Sequence, residues 1–287
     1  MTSSSAPGAD AAGRTFLITG GNTGIGLTTA IALARDGGRV YIACRSAVAG
    51  EAARARIKSE SGSADVWLLP LDLASLASVR DCAAAFLALD EPLHVLVTNA
   101  GVGGQRGLTA DGFERHFGVN HLGHFALTQL LLGRLAESGP DVRVVNVSSE
   151  AHFDARGIDF AAVRRPTATF TGMREYAVSK LCNVLFTQEL GRRLGESSLH
   201  CYALHPGVVA SDIWRRVPRL ARPFITRRML TIEQGAVTPV YCAASPAVAA
   251  DNGLFYDKCA VRKASPVATA ELSELLWKHS AEWTGLG

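Results

Sequence analysis

The segment TGGNTGIG, residues 19–26, says more about the architecture of this chain than any other stretch. It follows the β-branched run TFLITG and opens a helical pattern, so it lies between a first strand and a first helix. Gly20 allows a sharp turn, Gly24 lets the backbone approach a ligand, and Gly26 lets the helix pack closely on the strand. Because a helix N-terminus presents free N–H groups to anions, the segment predicts a site for a dinucleotide pyrophosphate.

Short β-branched runs alternate with longer helical patterns along the rest of the chain. The runs are apolar almost throughout, as expected of strands covered on both faces, and the repeated strand–helix–strand order favours right-handed crossovers. We therefore predict a single-domain α/β protein, a Rossmann-type doubly wound parallel sheet of about seven strands flanked by helices. The predicted strands are 15–20, 39–44, 65–71, 93–99, 142–149, 199–207 and 253–257, and the predicted helices lie near 24–36, 47–61, 75–89, 110–137, 174–195 and 268–280.

The composition fits one large domain, since 48% of the 287 residues are apolar and 19% are charged. A net charge of +3 is mild and dispersed, so we expect no nucleic-acid partner, and no apolar run is long enough for a membrane span. The six cysteines are scattered without a C-x-x-C pair, which predicts no metal site and a reducing, cytoplasmic location. We predict a disordered leader over 1–13 and one dinucleotide-binding and catalytic domain over 14–287.

The segment REYAVSK, residues 174–180, places Tyr176 and Lys180 one helical turn apart. A free tyrosine, with a pKa near 10, is a poor base at neutral pH. An ammonium group beside it would stabilise the phenolate and lower that pKa. The spacing therefore predicts a tyrosine that exchanges a proton with a carbonyl or alcohol substrate, with the lysine as its electrostatic partner.

The glycine pattern T-G-x-x-x-G-I-G, followed far downstream by Y-x-x-x-K, resembles the short-chain dehydrogenase/reductase family over about residues 14–283. The sequences of these motifs are most similar to the retinol dehydrogenase-like branch. Unlike many animal members of that branch, this chain is expected to have no N-terminal membrane anchor. The resemblance implies a nicotinamide cofactor and pairing through long helices as a homodimer or homotetramer. The motifs that carry it are TNAG (98–101, with Thr98 in place of the family's first Asn), VNHLGHFALT (119–128), VVNVSS (144–149), HPGVVAS (205–211), YDKC and ELLWKHSAEWTGL.

The same resemblance implies roles for further residues. Ser149, in preference to its neighbour Ser148, would orient the substrate oxygen, and Asn120 would complete a proton relay through a water to Lys180. Lys180 would also hold the nicotinamide ribose. Three histidines, His121, His124 and His205, are expected to be structural or loop-orienting.

The cofactor prediction depends on the end of the second strand, where an acidic residue would bind the ribose 2′-hydroxyl of NAD. Here Cys44 occupies that position and Arg45 follows it, and an arginine can grip a 2′-phosphate. We therefore predict NADP(H). The implied cofactor contacts are Gly20, Asn22, Thr23, Gly24, Ile25, Gly26, Arg45, Asp72, Leu73, Asn99, Ala100, Gly101, Tyr176, Lys180, Pro206, Gly207, Val209 and Ser211.

Two stretches outside the alternation leave the carboxyl ends of strands, where ligands bind in open α/β sheets. We predict that residues 150–173, called the substrate loop below, and a lid over 208–232 shape the substrate pocket. The lid region contains an arginine-rich segment, 212–230, for which we consider a solvated face, a partner or an anionic membrane surface. Its arginines are at positions 215, 216, 219, 222, 227 and 228.

These patterns favour an NADP(H)-dependent oxidoreductase that interconverts a carbonyl and an alcohol on a lipophilic small molecule. A sugar-nucleotide epimerase or dehydratase shares Y-x-x-x-K, but such proteins usually have a T-G-x-x-G-x-x-G spacing and a longer C-terminal domain. A non-catalytic NADP-binding sensor or scaffold is the third alternative.

Overall fold

A computed structural model describes residues 8–195, 197–209 and 230–286. The described strands form a single eight-stranded sheet in the order β3-β2-β1-β4-β5-β6-β7-β8, in which all pairs are parallel except the antiparallel β7–β8 pair. The direction in which strands are added to the sheet reverses between the neighbouring strands β1 and β4. Open parallel sheets bind their ligands at such a position. The strands are β1 (Thr15–Thr19), β2 (Arg39–Cys44), β3 (Val66–Pro70), β4 (Val95–Thr98), β5 (Val142–Val147), β6 (Leu199–His205), β7 (Leu254–Asp257) and β8 (Ala260–Val261).

Helices cover both faces of the sheet. They are α1 (Gly24–Arg35), α2 (Ala47–Ser61), α3 (Leu76–Leu87), α4 (Arg115–Phe117), α5 (Gly123–Glu137), α6 (Met173–Leu194), α7 (Ile232–Ala244) and α8 (Ala270–Thr284), and a π-helical turn, Gly118–Leu122, joins α4 to α5. The predicted doubly wound α/β fold is therefore confirmed.

Alternating side chains of the strands feed two cores. Phe16 and Ile18 of β1 point to one face, where Leu27 and Ile31 of α1 pack with α2 and α7. Leu17 points to the other face, where residues of α3, α5 and α6 close the second core. Burial on both faces explains why these strands are apolar throughout rather than alternating.

The structure differs from the sequence prediction in three places. Helix α7 is absent from the prediction, although its N-terminus carries a capping box between Thr231 and Gln234. The helix predicted near 110–137 begins at Arg115 and is interrupted by the π-helical turn. The sheet has an eighth strand, a two-residue edge that the pattern of β-branched runs could not show because it is so short.

The packed region also begins before the predicted boundary at residue 14. Ala11 is fully buried, and the Asp10 N–H donates to the carbonyl of Ala244 at 3.0 Å. Within the described residues no helix has the length and apolar character needed to cross a bilayer.

Candidate active site

A cleft of about 1250 Å³ runs along the carboxyl ends of the central strands. Arg45 follows β2 on one side of the glycine turn, and Ser149 follows β5 on the other side, so the cleft spans the point where strand order reverses. The predicted site residues that line it are Gly20, Asn22, Thr23, Gly24, Ile25, Gly26, Arg45, Asp72, Leu73, Asn99, Ala100, Gly101, Ser149, Tyr176, Lys180, Pro206, Gly207 and Val209.

The glycine turn has the geometry that a phosphate cradle requires. Gly20 has φ +65°, and a Cβ there would lie 2.9 Å from Ala100 Cα. A Cβ at Gly26 would lie 2.3 Å from Asn99 Nδ2, so the start of α1 sits directly against the end of β4. Gly24, with φ +54°, has no atom within 4 Å of its missing Cβ, which leaves the backbone open toward the cleft. These residues fit a dinucleotide pyrophosphate at the helix N-terminus.

The end of β4 is held against the end of β1 by hydrogen bonds to Thr19. Asn99 Nδ2 donates to the Thr19 carbonyl at 2.8 Å, and the Ala100 N–H donates to Thr19 Oγ1 at 3.0 Å. Thr98, which stands where the family usually has asparagine, donates its hydroxyl to Asn146 Oδ1 at 2.6 Å in the core. The substitution therefore leaves Asn99 free to bridge β4 and β1.

Tyr176 is buried in the first turn of α6 and lines the cleft together with Ser149, whose side chain acts to lower the pKa of the phenol. Ser149 is half-buried and its backbone is extended, with its Oγ accepting from the Ala151 N–H at 3.3 Å. Ser148, the alternative at this position, is buried and donates its hydroxyl to the Lys180 carbonyl at 2.7 Å. Of the two serines, Ser149 is the one whose side chain affects the pKa of Tyr176.

Lys180 is buried behind the tyrosine, with Nζ 5.8 Å from the Tyr176 ring centroid and donating to the Val147 carbonyl at 2.9 Å. Burial lowers the pKa of Lys180 to about 8. Burial also raises the pKa of Tyr176, and the Ser149 hydrogen bond only partly opposes that shift. The net pKa of Tyr176 is therefore raised, whereas the sequence predicted that it would be lowered, because desolvation of the phenol is the largest effect.

Asn120 lies in the π-helical turn and is fully buried. Its Oδ1 accepts from the Val102 N–H at 2.8 Å, while Nδ2 donates to the Val102 carbonyl at 3.0 Å and to Ser179 Oγ at 2.9 Å. Asn120 thus ties the loop that follows β4 to α6, next to Lys180. A Cβ at Gly101 would lie 3.3 Å from Asn120 Oδ1 and 3.5 Å from Lys180 Nζ, so these groups meet at the floor of the cleft.

The three histidines expected to be structural are all held by hydrogen bonds. His124 Nε2 contacts Thr19 Oγ1 at 2.9 Å, and burial lowers its pKa to about 4. His121 Nε2 contacts Ser280 Oγ at 2.9 Å, and burial lowers its pKa to about 3. His205 accepts from the Glu150 N–H at 3.2 Å and lines the cleft. The two fully buried histidines are neutral at physiological pH, which suits packing rather than proton transfer.

Several residues of the cleft were not named individually in the sequence analysis. Gln105, Arg106 and Arg115 line it from the segment after β4, where no pattern indicated a role, whereas Phe170 and Met173 belong to the substrate loop. Glu150 also lines it and forms a two-point ion pair with Arg262, at 2.7 and 2.9 Å. Only their positions after strand ends could have indicated them, since loops there form ligand pockets.

Other predictions fall outside the described residues. Ser211, most of the predicted lid and all six arginines of the segment 212–230 are among them. In the part of the chain that the structure describes, no group of three or more histidine, cysteine or acidic side chains could hold a metal ion.

The fold and the cleft are those of a Rossmann-type dinucleotide-binding protein. The family model for short chain dehydrogenases matches residues 14–220, and the chain belongs to the short-chain dehydrogenase/reductase family, in its retinol dehydrogenase-like branch. Members of this family use nicotinamide cofactors.

Relatives and solved structures agree with this assignment. Mouse retinol dehydrogenase 12 is 43% identical over 284 residues, which cover 96% of this chain and 87% of the relative. Bovine dehydrogenase/reductase SDR family member 13 is 43% identical over 282 residues, 96% of this chain and 74% of the relative. A crystal structure of an uncharacterised protein from Mycobacterium paratuberculosis superposes with a TM-score of 0.78 at 34% identity, covering 98% of this chain and 96% of that one. The Pseudomonas aeruginosa RhlG/NADP active-site complex has a TM-score of 0.68 at 28% identity, covering 86% and 94%.

Proposed function

We propose that this protein is an NADP(H)-dependent oxidoreductase that interconverts a carbonyl and an alcohol on a lipophilic small molecule. The observation that carries the proposal is the convergence of Tyr176, Ser149 and Lys180 in the same cleft as the glycine turn. A bound nicotinamide would supply or accept a hydride there. Oxidoreductases named as retinol dehydrogenases among the relatives support this reaction class.

The proton at the substrate oxygen is assigned to Tyr176. Because burial raises the pKa of the phenol, the side chain is protonated at neutral pH and can donate its proton to an alkoxide. The Ser149 hydroxyl, which lines the same cleft as the phenol, would orient the substrate oxygen. Lys180, with a pKa of about 8, is mostly protonated at neutral pH and balances negative charge that develops at the tyrosine. Together these groups suit carbonyl reduction.

The preference for NADP(H) is assigned to Arg45. Its side chain is exposed at the rim of the cleft, at the end of β2, and no carboxylate stands at that strand end. A guanidinium there can pair with a 2′-phosphate through two parallel hydrogen bonds. The complex of RhlG with NADP, a neighbour in fold, supports this choice of cofactor.

The lipophilic character of the substrate follows from the walls of the cleft. Val102, Ala151 and Met173 line it, and Phe170 lines it with 89% of its surface exposed. Exposed apolar side chains beside a pocket commonly mark the path of an apolar ligand.

All six cysteines are free, which supports a location in the reducing cytoplasm.

The test is NADPH consumption against a panel of ketones and aldehydes, with Tyr176→Phe as the diagnostic variant. We expect turnover to fall by about 10²–10⁴-fold while NADPH binding stays nearly unchanged, because a positioned proton donor contributes about that much. Tyr241→Phe is the matched control, since Tyr241 lies on α7 outside the cleft. Substantial activity in Tyr176→Phe would assign the proton to another group.

The same panel separates the alternative functions. A non-catalytic sensor or scaffold would bind NADPH but consume none with any substrate. A sugar-nucleotide epimerase or dehydratase would convert nucleotide sugars without net NADPH consumption. The position of the tyrosine beside Ser149 in the cofactor cleft favours the oxidoreductase over the sensor.

A further inference from the structure

A buried carboxylate outside the proposed catalytic set, Glu114, lies six residues before Asn120. The side chain of Glu114 is 4% exposed. Its Oε2 accepts from the backbone N–H groups of His116, at 2.7 Å, and Phe117, at 2.9 Å. Its Oε1 contacts His116 Nδ1 at 2.9 Å and accepts from the Thr167 hydroxyl. Four donors therefore converge on one carboxylate, which is how a buried charge is normally stabilised.

Glu114 also connects the substrate loop to the segment that leads to the π-helical turn. Its backbone N–H donates to the Val163 carbonyl at 2.8 Å, and Thr167 both contacts its carboxylate and accepts from the Gly107 N–H at 3.2 Å. The substrate loop is thus fastened at two points to the residues just before α4. Glu114 therefore lies where three segments meet: the loop that contains Gly107, the residues just before α4, and the substrate loop.

The imidazole that Glu114 holds lies against the tyrosine. His116 is fully buried, and its ring packs edge-to-face with the Tyr176 ring, with centroids 6.2 Å apart and planes at 79°. The other neighbour of the imidazole is the start of α6, because a Cβ at Gly172 would lie 2.7 Å from His116 Cε1. Gly172 has φ +69°, and its carbonyl accepts from the Tyr176 N–H at 2.9 Å. The imidazole therefore fills the corner between the tyrosine ring and the backbone that carries it.

One hydrogen bond fixes the orientation of this imidazole. A carboxylate only accepts, so the contact with Glu114 Oε1 places a proton on His116 Nδ1. His116 Nε2 is buried and has no hydrogen-bond partner among the described residues. Among those residues, Glu114 alone therefore holds the ring by a hydrogen bond.

We propose that His116 is a positioning residue for Tyr176, held in place by Glu114. The imidazole restricts the phenol to the orientation in which it meets Ser149, and Glu114 couples that orientation to the anchoring of the substrate loop. The inference rests on the proposed function, since it assigns the tyrosine as the proton donor.

Two substitutions separate the ring from its hydrogen bond. His116→Asn keeps a donor that can reach Glu114 but removes the ring, whereas His116→Phe keeps a ring beside Tyr176 but removes the donor. A purely structural role predicts that Asn is the better replacement in both stability and turnover, because it keeps the buried carboxylate paired. If the ring positions Tyr176, stability and kcat rank the two variants in opposite order. His116→Asn should be the more stable variant, and His116→Phe should have the higher kcat.

The kinetic expectation is a loss confined to the chemical step. Misplacement of a catalytic group by about 1 Å can cost on the order of 10²-fold, so kcat in His116→Asn should fall by about 10–100-fold. The KM for NADPH should stay nearly unchanged, because His116 does not line the cleft. The idea is overturned if kcat in His116→Asn is within twofold of the unmutated protein, or if the kcat order follows the stability order.

A second measurement needs no activity and covers the case in which His116→Phe does not fold. The protein is labelled with 3-fluorotyrosine, and the fluorine resonance of Tyr176 is assigned by its loss in Tyr176→Phe. We expect that resonance to shift and broaden in His116→Asn. It should stay in place in His121→Asn, which removes a buried imidazole that packs on Phe117, Phe125 and Phe186 instead. An unchanged resonance in His116→Asn refutes the positioning role.

The two proposals can fail separately. If Tyr176→Phe abolishes activity but His116→Asn changes neither kcat nor the fluorine resonance, the proposed function stands and the positioning role fails. If the unmutated protein reduces no carbonyl in the panel, the proposed function fails, and the fluorine resonance alone decides whether His116 orders the tyrosine.

Discussion

Substitution of Arg45 is the sharpest test of the preference for NADP(H) over NAD(H), because that preference is assigned to this single side chain. We expect Arg45→Asp to erase or invert a preference for NADPH over NADH. A hydrogen bond to a charged group contributes about 1.5–3 kcal/mol, and about 1.4 kcal/mol corresponds to tenfold in affinity. Arg45 is exposed at the cleft rim, so solvent screening places its contribution at the low end of that range. Loss of the contact should therefore change the NADPH/NADH ratio by at least about tenfold, and the new carboxylate adds repulsion of the 2′-phosphate.

The assay measures kcat/KM for both cofactors at fixed ionic strength, with one saturating carbonyl substrate. Arg56→Asp is the matched control, because it makes the same charge change on α2 without lining the cleft. It should leave the ratio of the two efficiencies unchanged. Raising the salt concentration should narrow the preference of the unmutated protein, since exposed charges are screened. Equal efficiency with both cofactors in the unmutated protein, or the same change in both variants, would refute the assignment.

Two further predictions concern pH and stability. Burial lowers the pKa of Lys180 to about 8, so the lysine loses its charge above that pH. The kcat/KM for carbonyl reduction should therefore fall on the alkaline side, with a midpoint near 8. A pH profile that stays flat to about pH 9.5 would contradict this. Arg143 is fully buried and bonds Asp141 through two nitrogens, at 2.6 and 2.7 Å, so Arg143→Met should lower the free energy of unfolding in urea by about 3 kcal/mol, at the low end for a buried pair because Asp141 is partly exposed. Arg56→Met, which breaks an exposed ion pair with Glu60, should lower the free energy of unfolding by less than about 0.5 kcal/mol. Equal losses in the two variants would show that the buried Arg143–Asp141 pair stabilises the fold no more than an exposed pair does.

The sheet could be predicted because its strands obey one physical rule. Strands β1 and β2 are buried on both faces, so their sequences are continuously apolar and are bounded by the polar ends of helices. The glycine turn was equally accessible to sequence reasoning. Gly20 needs positive φ and Gly26 has no space for a side chain, so the chain can hold only glycine at these places without strain.

Helix α7 shows where local pattern fails. Pro239 stands inside it, and proline normally signals a break because it removes a hydrogen bond of the helix. The capping box at Thr231 was present in the sequence and could have indicated the start of this helix. Packing of α7 against α1 and the sheet stabilises it despite the proline, and that contribution is tertiary.

The pair of Glu114 and His116 shows a different limit. Both lie within three residues and their types are unremarkable in a helical pattern. Their significance depends on Thr167 and Tyr176, which are about 50–60 positions further along the chain and are brought to them only by folding. Sequence spacing can show that two residues share a helical turn, but it cannot show which distant side chain packs against them.

The electrostatics of the tyrosine and lysine depend on burial more than on their spacing. One helical turn places the two side chains near each other, and from proximity alone an ammonium should lower the pKa of a phenol. In the folded protein both groups are buried, and desolvation disfavours the charged form of each, which raises the pKa of Tyr176 and lowers that of Lys180. The same two residues, one turn apart on an exposed helix, would have pKa values close to the ordinary ones, and it is burial in the fold that shifts both.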